Sequence, residues 1–308
     1  MQTKLIDIDG VELYTEEFGD PAHPPVLLVA GSMSQGIMWP DELVGRLVAG
    51  GRRVIRYDHR DTGRSGTVDF DANPYSWLDL KDDVLRVMDA YGLTGVHLVG
   101  HSAGGLISQI VAVERPARVL TLTLVGASPV GMGEGEVIMR ALMGEPQPEG
   151  SLPPPTPEFV ACFTELITGT PPTTRGEEID RMIAEAQALN GTALPFDEDA
   201  ERRLAERVHE RARDLSALVN HRRAGAENPG FEPVGVLGQV KAPTLVIEGT
   251  HEPAKPGHGA IIAERIPGAR LLMVQDMGHL IAPQVVAELA EALLAHTARQ
   301  PLDSDTAR

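Results

Sequence analysis

The 308-residue chain holds a single cysteine, Cys162, so no disulfide closes within it, although that alone does not fix a redox compartment. It has no apolar run long enough to cross a bilayer. Its first residues, MQTKLIDIDG, lack the basic start and apolar core of a secretory signal. These absences lead to the expectation of a soluble, cytoplasmic protein. Positive charge is also short. The 27 lysines and arginines face 44 aspartates and glutamates, a formal net charge of -17. That field repels polyphosphates, so neither nucleic acid nor an anionic membrane is expected as a partner. Internal repeats are lacking too. What is present suffices for a core: hydrophobic residues make up 42%, which excludes a disordered chain.

The start alternates apolar and polar residues on either side of Asp9-Gly10, the pattern of a hairpin with a tight turn. VLLVAG after Pro25 is a continuous apolar run, as a strand buried on both faces requires. A helix is expected over about Pro40 to Val48, a strand at RVIRYD, and a helix over about Ser76 to Tyr91. VHLVG and LTLTLVGAS read as further strands flanking a helix that begins near Ala103. This alternation predicts an α/β fold, a mostly parallel sheet with helices on both faces. The rhythm stops at about Ser128 and returns with PTLVIEGT, ARLLMVQD and a last helix, VVAELAEALLAHTA. The stretch between is acidic and rich in proline and glycine, and reads as loops around short helices. A structureless loop of that length is improbable. The expected division is therefore a core of residues 1–127 and 233–299, an inserted cap at 128–232, and a frayed tail at 300–308.

Gly100-His101-Ser102-Ala103-Gly104 fits Gly-x-Ser-x-Gly where a buried strand runs into a helix, the context of a nucleophile elbow. Ser102 is the candidate nucleophile. Gly100 and Gly104 let strand and helix approach each other. His101 sits in a slot that is more often structural. Serine needs an adjacent base. With the chain order serine, acid, histidine, the base falls on His279, in the loop after ARLLMVQ. His251, His258 and His296 fit less well by position. The acid falls on Glu252, in the loop after PTLVIEGT, ahead of Glu248 and Asp276. An oxyanion hole requires two backbone N–H groups, expected from Ala103 and from Ser32, with Met33 as the alternative. The chain has no His-Gly-Gly-Gly motif, which disfavours that lipase and esterase group. Asp58, Arg60, Asp61 and Arg64 are expected to pin a loop by salt bridges rather than to contact substrate. Met132, Met139, Met143, Phe159, Phe163 and Met182 are expected mostly as cap core, with a pocket lining as the alternative.

The elbow, the two later strand ends and the stretch Tyr57 to Ser65, YDHRDTGRS, together resemble the α/β-hydrolase superfamily. More narrowly, the chain is similar to methylesterases that act on anthracycline polyketides, the aclacinomycin methylesterase type. The matching pieces are Glu17 to Pro21, Trp39 to Glu42, the RYDHRDTGRS stretch, Leu194 to Asp197 and Met277-Gly278-His279. The resemblance implies the α/β-hydrolase fold, with the nucleophile on Ser102, the base on His279 and the acid on Glu252. The chain departs from the family pattern in having glutamate for aspartate there, and in the small residues Ala103-Gly104-Gly105 after the serine. The expected activity is hydrolysis of a hydrophobic carboxylic ester through an acyl-enzyme, with a polyketide methyl ester as the substrate implied by the resemblance. No cofactor and no metal are expected, and the expected partner is a small-molecule ester. Lactonase, thioesterase, acyltransferase and perhydrolase-like enzymes use the same triad, and a low-turnover ligand-binding protein is the alternative of another class.

Overall fold

The computed structural model describes residues 1–226 and 235–298; the expected cap end at Glu232, the core's restart at 233 and the tail at 300–308 lie outside them. The chain opens with β1 (Gln2–Ile8) and β2 (Val11–Phe18), paired antiparallel with Ile8 opposite Val11. Asp9 and Gly10 both have positive φ, 53° and 89°, as the primed two-residue hairpin turn requires. Six more strands follow: β3 (Pro25–Val29), β4 (Arg53–Tyr57), β5 (Val96–His101), β6 (Val119–Val125), β7 (Thr244–Gly249) and β8 (Arg270–Val274). The sheet order is β1-β2-β4-β3-β5-β6-β7-β8, and from β4 onward every pairing is parallel.

The helices within this framework are α1 (Asp41–Ala49), α2 (Trp77–Ala90) and α3 (Ala103–Glu114). Ser76 starts α2 with a capping box, its side chain taking the Leu78 N–H while Asp79 takes the Ser76 N–H. The strand residues divide between two apolar clusters in strict alternation. Leu27, Val29, Ile55, Leu98 and Val246 face one cluster, with Leu80 of α2 and Ile107 of α3. Val26, Leu28, Val54, Val99 and Ile247 face the other, with Leu43 and Leu47 of α1. A strand covered on both faces has no polar side, which is why these strands read as unbroken apolar runs.

Between β6 and β7 the chain leaves the sheet and forms α4 (Glu134–Met143), α5 (Pro157–Thr168), α6 (Arg175–Asn190), α7 (Glu198–Arg211) and α8 (Val219–Ala226). These helices are longer than the short ones expected; α6 has 16 residues and α7 has 14. Their apolar stripe is narrow: Ile179 and Ile183 of α6 meet Ala205 of α7, with Met182 and Phe196 beside them. Local devices supply the rest. Thr174 and Glu177 form a capping box on α6, and Asp197 caps α7. Phe159 and Phe163 stack at 5.1 Å on α5, whereas Met139 and Met143 of α4 are exposed. The last helices, α9 (His258–Arg265) and α10 (Val286–Thr297), cover opposite faces through Ile262 and through Leu289 and Leu293.

Candidate functional site

The sheet's order reverses at β3, with β4 on one side and β5 on the other, so the loops after β3 and β5 open a crevice at the carboxyl ends of the strands. Ser102 stands there, between β5 and α3, at φ 54° and ψ -121°. That backbone is strained for any residue with a side chain, and the surroundings hold it in place. The Ser102 N–H donates to the Val125 carbonyl at 2.9 Å. A Cβ on Gly100 would lie 2.3 Å from the Gly104 carbonyl oxygen, and one on Gly104 would lie 2.3 Å from that of Val29. Neither contact is possible, so only glycine lets β5, α3 and β3 meet this closely.

Behind the serine, Nδ1 of His279 meets Oε2 of Glu252 at 2.7 Å, both side chains buried. His279 comes from the loop after β8 and Glu252 from the loop after β7. Gly126, at the end of β6, lies against both, since a Cβ there would sit 3.2 Å from the His279 ring and 3.3 Å from Glu252 Oε2. Burial pushes the Glu252 carboxyl up, but the His279 charge and hydrogen bond, with the Ala254 N–H and Lys255, outweigh it and hold the carboxyl below its ordinary value. His101 donates Nε2–H to the His279 carbonyl at 2.9 Å and so fixes that loop. Burial, with the neighbouring His279 charge, pushes His101 down to about 3, so it stays neutral. Among the described residues the Ser102 Oγ accepts a hydrogen bond from Lys255 Nζ at 3.2 Å and makes none to His279. Lys255 also pairs with Glu134 Oε1 at 2.7 Å.

The loop after β3 lies against the serine: a Cβ on Gly31 would be 3.3 Å from the Ser102 Cβ. Neither the Ser32 N–H nor the Ala103 N–H has an acceptor among the described residues, whereas the Met33 N–H is taken by His221 Nδ1 at 2.9 Å. Below this loop the charged stretch forms a network. Asp58 accepts from the backbone of Gly36 and Arg64 and from Arg211 at the end of α7. Arg60 pairs with Asp83, and Asp61 accepts from Tyr75 Oη and Asn220 Nδ2. Every acid in it is engaged by loop or helix partners, which makes it the pin for these loops. Trp39 is buried in the core with its ring edge against His101.

Comparison with known proteins adds a family. The profile described as alpha/beta hydrolase fold matches residues 24–145. Rhodomycin D methylesterase of Streptomyces sp. (strain C5) is 38% identical over 300 residues, covering 96% of this chain and 98% of that one. The rhodomycin D methylesterase of Streptomyces peucetius is 39% identical over 298 residues, with the same coverage. The chain belongs to the α/β-hydrolase family. The fold agrees: an esterase structure from Exiguobacterium antarcticum superposes with a TM-score of 0.74 at 19% identity, over 97% of this chain and all of the other.

Within this α/β hydrolase the competing residues lie elsewhere. Glu248 accepts the N–H groups of Gly257 and Gly259 and so holds the loop into α9. Asp276 is on the surface, bonded to Gln275 and Thr250. His251 is exposed near Asp276, His258 lies between Ser128 and the Pro153 carbonyl, and His296 reaches the Leu122 and Pro243 carbonyls. Lys255, Glu134 and His221 were not singled out from the sequence. Lys255 follows Glu252 by three residues in HEPAK, a signal that was available. Glu134 and His221 come from α4 and α8 and reach the site only through the tertiary fold. Two surface clefts, of about 510 and 400 Å³, lie by Tyr14 and Arg64 and by Arg60 and Asp83, away from Ser102. Among the described residues no three His, Cys, Asp or Glu side chains are grouped to hold a metal ion, and no helix is long and apolar enough to cross a membrane.

Proposed function

We propose that this chain hydrolyses a carboxylic ester, with Ser102 as nucleophile, His279 as general base and Glu252 as the carboxylate that orients it. The observation that carries the reading is the buried 2.7 Å contact between His279 Nδ1 and Glu252 Oε2, beside a serine in strained elbow geometry. Glu252 keeps the proton on Nδ1, so Nε2 is the basic nitrogen. It removes the Ser102 proton as Oγ attacks the ester carbonyl, once Oγ has left Lys255. The oxygen that gains charge is received by the N–H groups of Ser32 and Ala103, at the positive end of α3. The imidazolium then protonates the departing alkoxide, leaving an acyl-enzyme. A water molecule, deprotonated by His279, attacks that ester, and Ser102 leaves with the proton. His101 keeps the His279 loop in position throughout.

The substrate is an apolar, ring-containing methyl ester of the polyketide type. The support is the near full-length likeness to two rhodomycin D methylesterases. We further propose that residues 128–232 act as a cap over the core. In support, α6 reaches the histidine loop, where the His279 N–H donates to the Leu189 carbonyl, and the preceding segment reaches the acid loop through Thr156 and Pro253. Remote apolar contacts from such a cap hold the carbonyl in attack geometry. The test is the rate of acid release on ester hydrolysis by purified enzyme. Bulky ring-containing methyl esters should show a higher kcat/KM than acetate esters of small alcohols, and a preference for short acetates would contradict the proposal.

A further inference from the structure

Lys255 is almost fully buried, and its ammonium lies within hydrogen-bond distance of the very oxygen that the proposed mechanism uses. It sits on the acid loop, where its own N–H donates to Glu252 Oε1 at 3.1 Å. Its far end is held from across the crevice by Glu134, at the first position of α4. Burial pushes the Glu134 carboxyl up, but the charge and hydrogen bond of Lys255 outweigh it and keep the carboxyl ionised below its ordinary value. Paired with Glu134, the Lys255 ammonium meets Ser102 as a hydrogen-bond donor. It has three donors, and the contacts with Ser102 and Glu134 use two.

We propose that Lys255 is a specificity-determining residue, which donates a hydrogen bond to a second, uncharged oxygen of the acyl group close to the scissile carbonyl. This rests on the reading of Ser102 as an ester-cleaving nucleophile. When Oγ bonds to the acyl carbon it gives up the ammonium, and the freed donor faces atoms one or two bonds from that carbon. A ketone or hydroxyl oxygen on that part of the substrate takes the place of Oγ. A carboxylate does not suit the place. Glu134 already balances the ammonium, and the Glu252 carboxylate on the same loop is close enough to feel its charge, so an added negative charge would be repelled by two others. Substrates are therefore esters that carry a neutral oxygen on the β carbon of the acyl group. Glu134 is a positioning residue, which keeps the ammonium from swinging away.

The experiment compares two methyl esters on one carbon skeleton, methyl benzoylacetate with a β-ketone and methyl hydrocinnamate without it. The readout is the ratio of their kcat/KM values, in the parent, in Lys255→Met and in Glu134→Gln. Taking the ratio within each protein cancels the intrinsic reactivity of the two esters. Loss of one charged hydrogen bond should lower the ratio about 10- to 100-fold in Lys255→Met, with a smaller fall in Glu134→Gln. A ratio unchanged in both variants, with the two esters falling together, would overturn the proposal and leave the lysine a structural strut. Labelling of Ser102 by a fluorophosphonate in each protein tests the nucleophile separately from the substrate class. A parent that labels yet hydrolyses neither ester overturns this substrate class alone, whereas a parent that does not label overturns the nucleophile as well.

Discussion

Met33 gives its backbone N–H to Nδ1 of His221, 2.9 Å away, and His221 Nε2 in turn donates to the Arg60 carbonyl at 2.9 Å. The ring thus ties the loop after β3 to the loop after β4, from a helix of the segment between β6 and β7. Of the two donors left open by the sequence, the Met33 N–H is engaged by this ring, and the Ser32 N–H has no acceptor among the described residues. Burial holds His221 below its ordinary pKa, which keeps Nδ1 an acceptor. His221→Phe removes that acceptor. We expect kcat to fall by about tenfold or more with little change in KM, because displacement of the loop weakens transition-state hydrogen bonding. Steady-state kinetics on one methyl ester checks this, and an unchanged kcat would mean that the loop holds itself.

The acid is tested by three substitutions made in parallel. Glu252→Gln should cost on the order of 10⁴-fold in kcat, the scale seen when a triad acid is neutralised. Asp276→Asn should leave kcat within about threefold, since the Asp276 carboxylate is bonded to Gln275 and it is Glu252 that holds the His279 ring. Glu248→Gln should lower thermal stability more than kcat, since its two oxygens take the Gly257 and Gly259 N–H groups. If Asp276→Asn were the damaging change, the third member would have been misassigned.

The parts of the site that could be read from sequence are those fixed by local backbone rules. Gly100 and Gly104 sit where a strand meets a helix, and Glu252 and His279 lie in loops that follow apolar runs. Lys255 and Glu134 form a pair 121 residues apart, and no spacing rule joins them. The helices after β6 were under-read for another reason. In α7, EDAERRLAERVHER, ion pairs such as Arg202–Glu198 support the helix from outside, and Ala205 alone is buried. Such a sequence carries little apolar periodicity to detect.

Acid should destabilise the fold before it protonates the carboxylates. His59 and His97 are buried, and burial, as the largest cause, pushes them down from about 6.5 to about 3 and about 4. Below about 6.5 the unfolded chain takes up protons that the folded chain refuses, so the stability present above that pH is lost as pH falls towards 4 and 3. Each residue contributes roughly 2 kcal/mol of loss between pH 7 and 5. The carboxyls of Asp58, Asp83 and Glu248, raised mainly by burial, act in the opposite sense at lower pH. Urea unfolding at pH 7 and pH 5 measures the difference, and equal stability at both would contradict neutral burial of these rings.

Turnover by the proposed route requires that Ser102 form a covalent acyl-enzyme. Its most direct measurement is intact-protein mass spectrometry of the parent and of Ser102→Ala after exposure to a fluorophosphonate and, separately, to a slowly turned-over ester. We expect a single adduct on Ser102 in the parent and none in Ser102→Ala. We also expect a loss of turnover on the order of 10⁴-fold or more in that variant, with an unchanged melting temperature. An adduct that persists in Ser102→Ala, or turnover within about tenfold of the parent, would contradict the acyl-enzyme route.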